Sequence, residues 1–205
     1  MHPSRPAYIA QMALDALLAD IADCRACAAE LAHEPRPVVR VSSETRLLIC
    51  GQAPGRRVHE SGRPFDDRSG DRLRDWLGVD RDTFYGDRRI GVAAMAFCFP
   101  GTDPKGGDYP PPARCAQLWR PRLLALLPRV ELTLLVGGYA QRWALPGAGR
   151  RSMTATVAGW REHLPDRLLL PHPSWRNTAW LKRNPWFEDE VAPYLRLRVA
   201  AMLAA

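Results

Sequence analysis

One stretch of this sequence reads Leu47-Leu48-Ile49-Cys50-Gly51-Gln52-Ala53-Pro54-Gly55. Four apolar residues lead directly into a Gly-x-x-Pro-Gly turn. The apolar run is too short for a typical helix and has no helical period, so it predicts a buried strand that ends in a tight loop. Glycine lets the backbone turn sharply and approach a ligand closely. Because ligands bind at the carboxyl ends of strands in a parallel α/β sheet, this loop is a candidate binding site.

A second stretch repeats this design near the other end of the chain. It reads Leu168-Leu169-Leu170-Pro171-His172-Pro173-Ser174-Trp175-Arg176-Asn177. Here another short apolar run enters a rigid Pro-His-Pro turn. Two strand ends, one rich in glycine and one carrying His172, are therefore predicted to face each other across a single pocket.

Two further apolar runs, at residues 90–95 and 130–136, predict the remaining strands. Helical patterns alternate with the strands, which implies right-handed crossovers. We therefore predict an α/β fold, a three-layer αβα sandwich with a central four-stranded parallel sheet. It would form a single domain over residues 1–205, with residues 1–40 as an N-terminal helix and linker. The local predictions include a helix over residues 7–31, a loop over 56–67 and a helix over 71–77 with Ser69 as its N-cap.

The composition suits one compact domain with a basic surface. The chain has 205 residues, 46% of them hydrophobic, and a formal net charge of +7. A basic, arginine-rich surface favours polyanionic partners such as nucleic acid. The N-terminus lacks the long apolar core of a signal peptide, and no apolar run approaches the length that spans a bilayer. We therefore expect a cytoplasmic protein, monomeric and without a membrane partner.

Three motifs in order resemble the uracil-DNA glycosylase superfamily: the 51–55 turn, the segment Gly62-Arg63-Pro64-Phe65 followed by Ser69-Gly70, and the 172–177 segment. The middle motif resembles the iron–sulfur enzymes known as family 4, and the last is closer to the single-strand-selective class. The resemblance implies a uracil-DNA glycosylase-like fold. It also implies a DNA glycosylase of base excision repair, which hydrolyses the N-glycosidic bond of a deaminated or damaged base. Uracil is the favoured substrate.

The resemblance implies a role for each motif residue. His172 would donate a hydrogen bond to the departing base, where negative charge develops. Phe65 would stack on the flipped base, with Gly51 and Ala53 beside it. DNA-binding residues would follow the last strand, with Trp175 filling the vacated stack and Arg176 holding a phosphate or the orphaned base. They are Ser174, Trp175, Arg176 and Asn177.

The residue that positions the attacking water is less defined. The best-known uracil enzymes have an aspartate where this chain has Ala53. Asp66 and Asp67, directly after Phe65, are the nearest carboxylates, and the main chain of Gln52 could also contact the base or the water. Two solvated loop acids are the alternative interpretation of Asp66 and Asp67.

Four of the five cysteines form two pairs. Cys24 and Cys27 make a C-x-x-C pair, and Cys98 and Cys115 bracket a loop rich in proline and glycine. Four thiolates from two segments suit an iron–sulfur cluster or an all-cysteine zinc site, and unrelated thiols are the third interpretation. The resemblance to family 4 implies a 4Fe–4S cluster that pins the N-terminal helix and the long loop to the sheet.

The sequence also departs from family 4. Those enzymes carry, shortly before the third cysteine, an asparagine that reads the amide edge of uracil, whereas residues 92–97 here contain none. Hypoxanthine, xanthine or a modified pyrimidine are therefore open as substrates beside uracil. A non-catalytic nucleic-acid or nucleotide-binding module on the same fold is the alternative function.

Overall fold

A computed structural model describes residues 5–145, 147 and 150–204. Its four strands form one sheet in the order β2-β1-β3-β4, and every neighbouring pair is parallel. Leu47 in the first strand pairs with Ile90 on one side and with Leu132 on the other. The predicted four-stranded parallel sheet is thus confirmed. The strands are β1 (Leu47–Cys50), β2 (Ile90–Val92), β3 (Leu132–Val136) and β4 (Arg167–Leu170).

Helices cover both faces of this sheet. They are α1 (Arg5–Ala22), α2 (Arg56–Ser61), α3 (Arg68–Leu77), α4 (Arg81–Gly86), α5 (Ala113–Ala125), α6 (Gly138–Ala144), α7 (Met153–Ala158), α8 (Thr178–Arg183) and α9 (Ala192–Ala204). Short 3-10 turns occur at Ala28–Glu30, Trp160–His163 and Trp175–Asn177, and a π-helical turn at Phe187–Val191 precedes α9. None of the helices in the described ranges is long and apolar enough to cross a membrane.

The strands are apolar except for Thr133 in β3 and the exposed Arg167 at the start of β4, because both faces of the sheet are buried. Leu47 and Ile49 pack into a core that includes residues of α3 and α9. Leu48 and Cys50 point the other way, into a core that includes residues of α1 and α5. Successive side chains of a strand alternate between its faces, so one short apolar run contributes to both layers. This alternation explains the three-layer αβα arrangement.

The structure corrects several local predictions. Residues 56–61 form α2 rather than a loop, because Gly62 adopts a left-handed conformation (φ 71°) that ends a helical turn. Ser69 is not the N-cap of α3, since Asp67 takes that role and accepts a hydrogen bond from the Gly70 N–H at 2.8 Å. A carboxylate at residue 67 reaches the third N–H of the helix, so α3 begins at Arg68.

Two predicted elements are also shorter than expected. Helix α1 ends at Ala22, so Cys24 and Cys27 lie in the turns that follow it. Strand β2 ends at Val92 rather than at residue 95, because the regular pairing with β1 ends at Ile49. Beyond it, Met95 and Ala96 donate main-chain hydrogen bonds to Gly51 and Gln52 of the turn that follows β1.

Candidate active site

Loops at the carboxyl edge of the sheet enclose an open cleft of about 610 Å³. The turns after β1 and β4 form two of its walls, and residues 64–69 and 106–108 form the others. Apart from the cysteines, the structure brings every predicted site residue except Asp66 to this cleft. The residues concerned are Gly51, Gln52, Ala53, Phe65, Asp67, His172, Ser174, Trp175, Arg176 and Asn177.

The His172 imidazole is held in one tautomer by its own loop. The Ser174 N–H donates to His172 Nδ1 at 3.2 Å, and Asn177 Nδ2 donates to the His172 carbonyl oxygen at 2.7 Å. A neutral imidazole whose Nδ1 accepts a hydrogen bond carries its proton on Nε2. Nε2–H is therefore the one donor that the neutral ring offers to a ligand.

Burial keeps this imidazole neutral. Desolvation lowers the pKa of His172 below its ordinary value of 6.5, and the nearby Asp67 carboxylate opposes part of that shift. Gly137, which follows β3, packs against the same residue, since a Cβ at position 137 would lie 3.4 Å from His172 Cβ. His172 thus presents an uncharged N–H donor to the cleft near neutral pH.

Phe65 lines the same cleft in an unusual backbone conformation. Its φ of 56° is the only positive value among the described non-glycine residues. A left-handed conformation costs a bulky residue on the order of 1 kcal/mol or more, and such strain concentrates at functional sites. The main chain is held by Arg74 Nη1, which donates to the Phe65 carbonyl at 3.2 Å, and by the Tyr85 hydroxyl, which donates to Pro64 at 2.9 Å. The Phe65 ring lies beside Gly51.

The two acids after Phe65 have different surroundings. Asp67 lines the cleft while its Oδ1 caps α3. Asp66 does not line the cleft, because its carboxylate pairs with Arg81 at 2.6 Å, and this hydrogen bond lowers the pKa of Asp66. We therefore omit Asp66 from the candidate catalytic residues. A third acid, Asp108, also lines the cleft and was missed by the sequence analysis, although its place in a glycine-rich loop after a strand was an available signal.

The segment after β4 forms the rim of the cleft. Trp175 is 70% exposed, and the Arg176 guanidinium lies 5.1 Å from the centre of its ring. Asn177 has a structural role through its bond to the His172 carbonyl. Arg72 of α3, which sequence analysis did not identify, donates to the Ser174 carbonyl at 3.1 Å and braces this segment.

The four paired cysteines surround a second, mostly apolar cavity. Cys24, Cys27, Cys98 and Cys115 all line it, although they come from distant parts of the chain. Trp119 Nε1 donates to Cys24 Sγ and the Phe97 N–H donates to Cys115 Sγ, both at 3.4 Å. Desolvation raises the pKa of Cys98 to about 11 and that of Cys115 to about 12. Within the described ranges, no three Cys, His, Asp or Glu side chains are grouped so as to hold a metal ion.

A comparison of the sequence with models of known protein families identifies the class of this protein. A family model described as the Uracil DNA glycosylase superfamily matches residues 39–196. The chain therefore belongs to the uracil DNA glycosylase superfamily, which confirms the resemblance seen in the motifs and indicates DNA glycosylase activity in general. The match includes Cys98 and Cys115 but begins after Cys27, and the family 4 subtype stays a prediction.

Proposed function

We propose that this protein is a DNA glycosylase that hydrolyses the N-glycosidic bond of a deaminated or damaged base, with uracil as the first candidate, in base excision repair. The observation that supports this proposal is the convergence of Gln52, Phe65 and His172 on one cleft. These residues come from three distant segments of the chain. They provide a loop at a strand end, an aromatic surface and a fixed N–H donor.

In the proposed reaction the target nucleotide leaves the duplex and its base enters the cleft. Phe65 stacks on the base, a contact that contributes on the order of 1–3 kcal/mol. As the bond between C1′ and the base nitrogen breaks, its electron pair moves onto the base. His172 Nε2–H donates to the base oxygen on which this charge develops, and the fixed, partly desolvated donor stabilises the transition state more than water does. A water molecule then adds to C1′.

The cleft has few side chains left for reading a base. Its two carboxamides are already bound, since Gln52 Nε2 donates to the Tyr109 carbonyl and Asn177 Nδ2 to the His172 carbonyl. Val92 and Ala94 line the cleft at the place of the missing asparagine. We propose that main-chain groups read the base. Such a pocket would accept more than uracil, so hypoxanthine, xanthine and modified pyrimidines belong among the test substrates.

Three arginines line the cleft and would contact DNA phosphates: Arg57, Arg68 and Arg176. The exposed Trp175 extends from the same rim and would fill the gap left by the flipped base. Positive charge around an open cleft, with an aromatic side chain at its edge, suits the distorted duplex that base flipping requires.

We further propose that the cysteine cavity holds a 4Fe–4S cluster. Four cysteines line one apolar space, and N–H groups point at two of their sulfurs. Four cysteine thiolates suit either a 4Fe–4S cluster or a zinc ion, and the resemblance of the middle motif to the iron–sulfur enzymes favours the cluster. When bound, the cluster would tie the turns after α1 to the long loop and to α5, without taking part in base excision.

A panel of oligonucleotides tests the proposed function. Each duplex carries one uracil, hypoxanthine or xanthine, and alkali cleaves the strand wherever a base has been removed. We expect strand cleavage by the wild-type protein and its loss in His172→Ala. His163→Ala is the matched control, because His163 precedes β4 at the opposite edge of the sheet. Tight binding of DNA without any abasic product would instead support the binding-module alternative.

A further inference from the structure

The proposed reaction requires a group that orients the attacking water and accepts its proton. The position used by the best-known relatives is Ala53, which has no suitable side chain. Asp66 points away from the cleft and pairs with Arg81. Asp67 faces the cleft, but one of its oxygens is committed to capping α3. Both acids that follow Phe65 thus have other interactions to maintain.

We infer that Asp108 is the general base that activates the water, an inference that rests on the proposed glycosylase function. Asp108 lines the same cleft as Gln52, Phe65 and His172. Its Oδ2 lies beside Gly55, 3.5 Å from the place where a Cβ at that residue would stand. The carboxylate therefore approaches the same turn in which other superfamily members carry their water-positioning aspartate.

The loop that carries Asp108 is attached firmly to that turn. Gln52 Nε2 donates to the carbonyl of Tyr109, the residue next to Asp108, at 3.1 Å. The Tyr109 N–H donates to the Gly101 carbonyl at 2.9 Å, and Thr102 and Asp108 form an antiparallel bridge. Gln52 thus supports the placement of Asp108, which gives its side chain a defined role in the site.

The charges around Asp108 suit a base. Burial of the carboxylate against the cleft wall is the largest effect and raises the pKa of Asp108 above the ordinary value of 3.8. Arg176 from the segment after β4 and Arg56 of α2 lower this pKa, while Asp67 raises it. Within the described part of the chain, no ion pair engages Asp108. A carboxylate with a raised pKa accepts a proton more readily than one held in an ion pair.

The step balances as a hydrolysis. The water oxygen forms a bond to C1′ while the bond from C1′ to the base nitrogen breaks and leaves its electron pair on the base. One water proton passes to the Asp108 carboxylate, and the other stays on the new hydroxyl of the abasic sugar. The base anion, stabilised by His172 Nε2–H, takes a proton from solvent after release, and Asp108 returns its proton to solvent.

The test compares Asp108→Asn with Asp103→Asn in single-turnover excision over a range of pH. Asp103 belongs to the same loop and its Oδ1 accepts from the Lys105 N–H, an interaction that asparagine preserves. We expect D108N to lose roughly a hundredfold or more in rate, the usual contribution of a general base, while D103N stays near the wild type. On the acid side, the slope of log rate against pH should fall by about one in D108N, because one titrating group is removed. Affinity for a duplex with an uncleavable nucleotide should not change.

A second variant keeps the inference testable if D108N folds poorly. Asp108→Ala should regain part of its activity when formate is added, because formate supplies a carboxylate in the vacated space. Excision by D108N within about threefold of D103N would overturn the inference and leave the proposed function intact. A wild type that cleaves none of the substrates would overturn both.

Discussion

Gly70 packs so closely against Phe65 that a Cβ at residue 70 would lie 1.7 Å from the Phe65 carbonyl oxygen. No side-chain movement relieves that overlap, since the obstructing atom belongs to the main chain. The same carbonyl accepts the hydrogen bond from Arg74. The position of the aromatic platform in the cleft therefore depends on a glycine five residues further along the chain.

Gly70→Ala is accordingly expected to damage both fold and function. The main chain at residues 65 and 70 must separate, which should lower the free energy of unfolding by about 1–3 kcal/mol, as overpacking does. Chemical denaturation measures this loss, and excision assays measure the accompanying drop in rate. Gly86→Ala is the matched control, because a Cβ at Gly86 meets nothing within 4 Å. Equal stability of the two variants would contradict the close contact.

Removing the donor to His172 should weaken catalysis without removing a side chain that contacts the base. Ser174 has a φ of −67°, which suits proline, so Ser174→Pro deletes the N–H that donates to Nδ1. The loss of one neutral hydrogen bond predicts a roughly two- to tenfold slower excision. Ser174→Ala also loses the hydroxyl but keeps the N–H, so the rate of the proline variant relative to the alanine variant measures the effect of this hydrogen bond alone. An unchanged excision rate in Ser174→Pro would show that the hydrogen bond to His172 Nδ1 does not contribute to catalysis.

The ionisation of His172 can be observed by NMR of the imidazole nitrogens. Because burial disfavours the charged ring, His172 should titrate below its ordinary pKa of 6.5 and carry its proton on Nε2 at neutral pH. The unfolded chain binds this proton more readily, so the contribution of His172 to stability is present above about pH 6.5 and declines as the pH falls through the lower folded value. His172→Asn identifies the signal. A midpoint at or above 6.5 would contradict this prediction.

DNA binding should depend on salt through the arginines of the cleft. Arg176→Gln should reduce the slope of log affinity against log salt concentration by about one, because one phosphate contact is lost. Fluorescence titration with a duplex that contains an abasic site provides the measurement. Arg129→Gln removes the same charge from an exposed residue between α5 and β3 and should leave the slope unchanged. Equal slopes in both variants would remove Arg176 from the interface.

The cysteine cavity predicts a coloured protein. Anaerobic purification should yield about four iron atoms per chain and absorption in the visible range, both lost in Cys98→Ser. Cys50→Ala is the control, because Cys50 lies buried in β1 and does not line the cavity. A wild type without iron, or with one zinc ion per chain, would contradict the cluster.

The sequence alone determined the sheet and the position of its main loops. Short apolar runs that end in Gly-x-x-Pro-Gly or Pro-His-Pro predict buried parallel strands, because a strand covered on both faces needs no polar residue. Since the carboxyl ends of such strands lie at one edge, the meeting of the first motif with His172 also followed from the pattern. The ends of the helices did not, since the Asp67 cap and the left-handed Gly62 depend on details of backbone geometry.

Only the tertiary structure decided which acid faces the cleft. Asp66, Asp67 and Asp108 are equivalent in a sequence, yet one pairs with Arg81, one caps a helix and one lies beside Gly55. The left-handed Phe65, its contact with Gly70 and the tautomer of His172 were likewise beyond prediction. Each of these features depends on distances that only the folded chain defines. The strength of a hydrogen bond and the degree of desolvation both change when such a distance changes by an ångström or two. A sequence pattern specifies only which face of an element a residue occupies.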